Sequence, residues 1–139
     1  MCKRLCVLIA VLLFATSGEL NSRETISIDC PEKVQSDCTV QPLQTLTGKV
    51  SKSDAKVWII VHPIDSAVFW VQPQASVTDK KWTGHARFGE AISAQNYKQF
   101  EVKAIANPAE SLEEGMQKYE WPAADFSSQD LLVKRIAVN

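Results

Sequence analysis

The stretch Lys-Val-Trp-Ile-Ile-Val-His at residues 56–62 decides the fold class. Side chains alternate between the two faces of an extended strand. The faces divide as follows: Val57, Ile59 and Val61 on one, Trp58 and Ile60 on the other. Both faces are apolar, which is typical of a central strand with packed layers on either side. The stretch therefore predicts the middle of a β-sheet.

Six further segments alternate apolar and polar residues between turn residues, and each predicts a strand. They are residues 24–29, 39–50, 68–72, 81–88, 98–106 and 131–138. Pro42 disturbs the second of them, because proline lacks the N–H donor that a strand ladder needs. The pattern predicts an all-β fold.

Residues 108–119 are the exception and predict one short helix. Ser111 and Glu114 match a capping box, and Leu112, Met116 and Tyr119 fall on one helical face. Gly115 weakens a helix interior, so one or two turns are expected. About seven strands with one short helix predict an immunoglobulin-like (Ig-like) β-sandwich.

The first 17 residues have the composition of a signal peptide. Lys3 and Arg4 precede an apolar run at residues 5–14, and small residues follow at 15–17. The run has about ten residues, whereas a membrane-spanning helix needs about 20, so no membrane association is expected after cleavage. We predict a leader at 1–17, one domain at 18–139, and a secreted or periplasmic location.

Two of the four cysteines, Cys30 and Cys38, remain after removal of the predicted leader. An even pair in an oxidising compartment predicts one disulfide, with two free thiols as the alternative. Their spacing is not that of a CxxC redox pair. Further Cys or His ligands for zinc are not nearby in the sequence, so we predict neither a metal nor another cofactor.

Composition and motifs argue against several functions. The net charge is −1, and the basic residues do not interleave with aromatic ones, so nucleic acid is not an expected partner. Catalytic and phosphate-binding sequence motifs do not occur. The two histidines, His62 and His85, lie on separate predicted strands, where a structural and a solvated histidine are expected. We predict a protein without enzymatic activity.

The four tryptophans divide into two groups. Trp58 and Trp82 lie on apolar strand faces, and Trp58 is predicted to fill the core between the sheets. Trp70, on the return arm of a hairpin, and Trp121, before a proline, are the candidates for ligand contact. An exposed indole ring can stack on a sugar, but packing within the protein is the alternative for both.

A set of aromatic residues and glycines suggests a family. It comprises Gly48, residues 57–61, 69–72, 81–82, 88–89 and 100–105, and Trp121-Pro122. Together they resemble small Ig-like domains of bacterial exported and surface proteins, over residues 26–138. The resemblance implies an accessory or adhesive module without catalytic residues. The cysteine pair departs from this pattern.

These observations predict an exported, non-enzymatic binding or interaction module for an unknown protein or glycan. One alternative is a carbohydrate-binding domain that uses Trp70 and Trp121. Another is a secreted inhibitor protein, whose exposed loops at residues 65–67 and 90–96 are the expected contact regions.

Overall fold

Two β-sheets enclose a shared core in residues 23–89 and 99–136, the ranges that the computed structural model describes. The predicted leader at 1–17 and the loop at 90–96 lie outside these ranges. The described ranges contain eleven strands: β1 Glu32–Val34, β2 Asp37–Val40, β3 Leu43–Lys49, β4 Val57–Pro63, β5 Phe69–Val71, β6 Ser76–Thr78, β7 Lys81–Arg87, β8 Gln99–Pro108, β9 Gln117–Lys118, β10 Ala124–Ser127 and β11 Leu131–Arg135.

The strand order is that of an Ig-like sandwich with additional short strands. The larger sheet has the order β1-β2-β11-β8-β4-β5-β9, with β10 also paired to β8, and the smaller has the order β3-β7-β6. Residues 25–29 hydrogen-bond along β3, and β2 then pairs with β11 in parallel. The N-terminal part of the chain thus contributes to both sheets, and the predicted β-sandwich is confirmed.

The predicted strands correspond closely to observed ones, with one informative difference. The central stretch at 56–62 becomes β4, which lies between β8 and β5. The predicted segment at 39–50 is instead two strands, β2 and β3, in different sheets. Pro42 lies between them, so the chain changes sheet at the residue that cannot continue a ladder. The number of strands also exceeds the predicted seven.

The core between the sheets follows the predicted alternation. Its largest fully buried side chains include Leu46, Val57, Ile59, Val61, Trp82, Phe88, Phe100 and Val102. Trp82 fills the centre, and its indole N–H donates a 2.8 Å hydrogen bond to the carbonyl oxygen of Ser27. The prediction for Trp58 was wrong, because Ile59 takes the inward position and Trp58 packs on the opposite face of β4.

The predicted helix at 108–119 is absent, and a turn with strand β9 stands in its place. Gly115 has φ +86°, which ends any helical path. Its N–H donates to the carbonyl oxygen of Val71, and the Val71 N–H donates to that of Met116. Pairing with β5 therefore uses the backbone groups that a helix would need.

Of the predicted helical face, the segment after β8 buries Leu112 and partly buries Met116, whereas Tyr119 is 74% exposed. The segment covers the outer face of the larger sheet, where a second apolar cluster forms. This outer cluster comprises Ile60, Val71, Ile105 and Leu112, with Trp58, Phe69, Met116, Trp121 and Ala124 packed against it. Both faces of β4 are thus covered, as its sequence predicts.

The structure joins Cys30 and Cys38 by the predicted disulfide, with 5.7 Å between their Cα atoms. Cys30 follows residues 25–29, which pair with the smaller sheet, and Cys38 lies in β2 of the larger sheet. The bond therefore fixes the place where the chain passes from one sheet to the other.

Replacing both cysteines by alanine is expected to lower the free energy of unfolding by about 2–3 kcal/mol, because the unfolded chain loses a constraint. Urea denaturation of the oxidised protein and of the double variant measures this difference. Reduction of the unmodified protein should give a similar loss. An unchanged unfolding midpoint on reduction would contradict the prediction.

Candidate binding groove

The two candidate tryptophans, Trp70 in β5 and Trp121 in the loop after β9, lie on opposite faces of the larger sheet. Trp70 is opposite Val61 in the register of β4 and β5, and therefore shares the inward-facing side of the sheet. Phe69, its neighbour in sequence, points to the outer face, where its ring meets that of Trp121. The structure consequently does not bring Trp70 and Trp121 together in one stacking platform.

Trp121 is held in a packed aromatic group on the outer face. Its ring meets Phe69 edge-on with centroids 4.7 Å apart, and His62 at 6.1 Å. The Nζ atom of Lys103 lies 4.7 Å from the ring centre, and Asp130 pairs with the same ammonium group at 3.0 Å. The ring of Trp121 thus already makes aromatic and cation–π contacts within the protein. These contacts favour a packing role for Trp121 over ligand contact.

His62 belongs to the same aromatic group. Its ring stacks on Phe69 with centroids 3.9 Å apart, and Nε2 lies 2.6 Å from the carbonyl oxygen of Ser66. Because a carbonyl only accepts, Nε2 carries the hydrogen of this contact. The buried Nδ1 of His62 has no hydrogen-bond partner among the described residues, although a Glu101 oxygen lies 3.8 Å away.

Trp70 has 37% of its surface exposed and lines a groove at one end of the sandwich. We call this the Trp70 groove, and its volume is about 640 Å³. It is lined by Leu43, Val61, Pro63, Trp70, Val71, Gln72, Pro73, His85, Arg87, Gly89, Phe100, Glu114 and Gly115. Most of these residues are apolar, and the volume falls within the usual range of small-molecule pockets.

The groove exists because β5 and β6 belong to different sheets. β5 ends at Val71, the chain passes Pro73, and β6 pairs with β7 only as far as Thr83. The last residues of β7 are therefore not covered by β6. The N–H of Arg87 donates instead to the side-chain oxygen of Gln72, at 2.8 Å. This side chain takes the place of a strand carbonyl and closes part of the open edge.

Three ionisable residues line the Trp70 groove. Arg87 and His85 come from β7, and Glu114 comes from the turn before β9. The Nδ1 of His85 lies 3.2 Å from the hydroxyl of Thr45. In the described ranges neither the guanidinium of Arg87 nor the carboxylate of Glu114 forms an ion pair. Both charges are available to a ligand.

A second pocket, of about 540 Å³, lies beside the outer cluster of the larger sheet. Trp58, Leu112 and Pro108 line it together with polar residues: Lys56, Gln74, Asn107, Glu110 and Ser111. The sequence analysis missed this site because it assigned Trp58 to the core between the sheets. The available signal was that Trp58 alternates out of phase with the valines of its strand.

The described residues include neither a metal-binding cluster nor a membrane-spanning helix. No group of three or more His, Cys, Asp or Glu side chains in the ranges 23–89 and 99–136 is arranged to hold a metal ion. The same part of the chain contains no helix with the length and apolar character needed to cross a membrane.

Comparisons with known proteins identify no relative. No protein-family model matches the chain, and searches of curated proteins and of solved structures found no match.

Proposed function

We propose that this chain is an exported, non-enzymatic binding domain that takes its ligand in the Trp70 groove. The observation that carries the proposal is the position of Trp70, a large aromatic residue left partly exposed at the wall of a mostly apolar concavity. A mostly apolar concavity with a few polar groups in its lining is the usual place for a binding site. Export is supported by the disulfide between Cys30 and Cys38, since such bonds persist in oxidising compartments.

The lining favours a ligand with an apolar group. Leu43, 61% exposed, and Trp70, 37% exposed, supply apolar surface in the lining of the groove. Covering these surfaces removes apolar area from water, which contributes about 25 cal/mol for each Å². The apolar group can belong to a partner protein or to a free molecule. A secreted inhibitor would bind its target in the same way.

Carbohydrate binding is the second candidate, and the second pocket favours it. There the ring of Trp58 lies among amide, hydroxyl and charged side chains, which can hydrogen-bond to sugar hydroxyls. Trp121 is a weaker candidate, because Phe69 and Lys103 already contact its ring. Of the two ligand residues predicted from the sequence, Trp70 and Trp121, the proposed function therefore relies mainly on Trp70.

Replacing Trp70 by alanine is expected to weaken binding of a neutral apolar probe at least about tenfold, because the main apolar wall of the groove is lost. We suggest titrating the exported full-length protein with octan-1-ol and following the amide NMR signals. Signals of groove residues such as Leu43 and Gly89 should shift in the unmodified protein and much less in the variant.

The matched control is Trp58→Ala, which removes a tryptophan from the second pocket and should leave octanol binding unchanged. A trimer of N-acetylglucosamine tests the second candidate in the same way. If this sugar binds, and Trp58→Ala abolishes its binding while octanol has no effect on any groove signal, the apolar proposal fails. Recovery of the protein from the cytosol with its leader intact would contradict export.

A further inference from the structure

We infer that the Trp70 groove binds an amphipathic anion, a small molecule with an apolar body and a carboxylate that pairs with Arg87. This inference rests on the proposed function and adds the chemical class of the ligand. Its basis is the combination of an apolar wall with a guanidinium group, that of Arg87, which forms no ion pair with a described residue.

The size of the groove favours a small molecule over a protein surface. A typical protein interface covers about 800 Å² on each partner and is nearly flat. The Trp70 groove is instead concave, with a volume of about 640 Å³, and small-molecule pockets combine such an apolar lining with a few placed polar groups. The apolar body of the ligand would lie against Trp70 and Leu43, the exposed apolar side chains of the lining.

Arg87 is suited to the anionic end of the ligand. Its backbone N–H is already bonded to Gln72, which fixes this end of β7 beside the groove. Its guanidinium has five N–H donors, and no described carboxylate pairs with them. A carboxylate can accept two of these hydrogen bonds in parallel, so charge complementarity at this position favours an anion.

The other ionisable residues of the groove define the alternative ligand, a cation. His85 lies two residues before Arg87 and, when protonated, would add to the positive charge at β7. Glu114 carries the opposite charge and comes from the turn before β9. A ligand held mainly by Glu114 would be a cation, and the two possibilities predict opposite effects of charge-removing variants.

The experiment compares three probes with the same eight-carbon chain: octanoate, octan-1-ol and octylammonium. Titrations of the exported full-length protein at low salt, followed by NMR, give the three affinities. We expect octanoate to bind about fivefold more tightly than octanol, and this difference to shrink as salt is added. Octylammonium should bind more weakly than octanol.

Variants assign the effect to Arg87. Arg87→Gln should reduce octanoate affinity about fivefold and leave octanol affinity unchanged, which removes the preference for the anion. Glu114→Gln should strengthen octanoate binding about twofold, because a like charge is lost. Lys81→Gln is the matched control, since Lys81 is an exposed cation on the same strand that does not line the groove. It should have no effect.

The outcomes separate this inference from the proposed function. Equal affinities for octanoate and octanol, or a preference for octylammonium that Glu114→Gln abolishes, would overturn the inference and leave an apolar binding groove. Failure of all three probes to shift groove signals would overturn both. A thermal melt of each variant confirms that it folds, and backbone bonding of Arg87 does not depend on its side chain.

Discussion

Replacing Trp82 by alanine should lower the free energy of unfolding by about 3–5 kcal/mol, the range for truncating a large aromatic residue in a core. Trp82 is fully buried between the sheets. Its removal leaves a cavity and also leaves the carbonyl oxygen of Ser27 without its 2.8 Å hydrogen bond. Urea denaturation followed by circular dichroism measures the loss, because it does not depend on tryptophan fluorescence.

Two variants separate the contributions to this loss. Trp82→Phe keeps most of the apolar volume but removes the indole donor, so a smaller loss of about 1–3 kcal/mol is expected from the unpaired carbonyl. Trp70→Ala removes the same side chain from a partly exposed position, where we expect a loss of about 1 kcal/mol. A loss for Trp82→Ala no larger than about 1 kcal/mol would contradict the central role of Trp82 in the core, and a loss of about 3–5 kcal/mol for Trp70→Ala would contradict the partly exposed position of Trp70.

The strands could be predicted because the alternation of inward and outward residues is visible within each strand's own sequence. In β7 and the residue after it, the inward residues are Trp82, Gly84, Ala86 and Phe88, and this period-2 pattern needs no knowledge of neighbouring strands. β4 could likewise be placed at the centre of a sheet, because both of its faces are apolar. Local alternation therefore predicted the all-β class and most strand positions.

The errors come from features that depend on distant partners. Leu112 and Met116 have helical spacing, but hydrogen bonds to Val71 hold this segment beside β5. Trp58 and Ile59 are equally apolar, so the sequence could not say which faces the smaller sheet. In both cases the sequence allowed two local arrangements, and contacts with distant parts of the chain determined which one forms.

The candidate site could be predicted only in part. Trp70 was identified from its place on the return arm of a hairpin. The remaining walls of the groove come from β3, β4, β7, β8 and the turn before β9. Their meeting depends on the transfer of the chain from β5 to β6, which belong to different sheets, and no local pattern indicates such a transfer.

Gly48→Ala tests how closely the N-terminal segment and the core are packed, and it should destabilise the protein by about 3 kcal/mol, at the upper end for overpacking. A β-carbon at Gly48 would lie 2.0 Å from the carbonyl oxygen of Ser27 and 2.4 Å from the Nε1 of Trp82. Backbone and a buried indole ring cannot yield easily, and the hydrogen bond between them would be disturbed.

Gly84→Ala is the matched control, because Gly84 is also buried in the smaller sheet, opposite Leu46 in β3. Its added β-carbon would lie 2.5 Å from Cδ1 of Ile59, the end of a flexible side chain that can change rotamer. We expect a loss of about 1–2 kcal/mol for this variant. The difference between the two alanines in urea denaturation then measures the rigidity of the contact between Ser27 and Trp82. Equal losses would mean that residues 25–29 move away from β3 without much resistance, and would contradict the prediction.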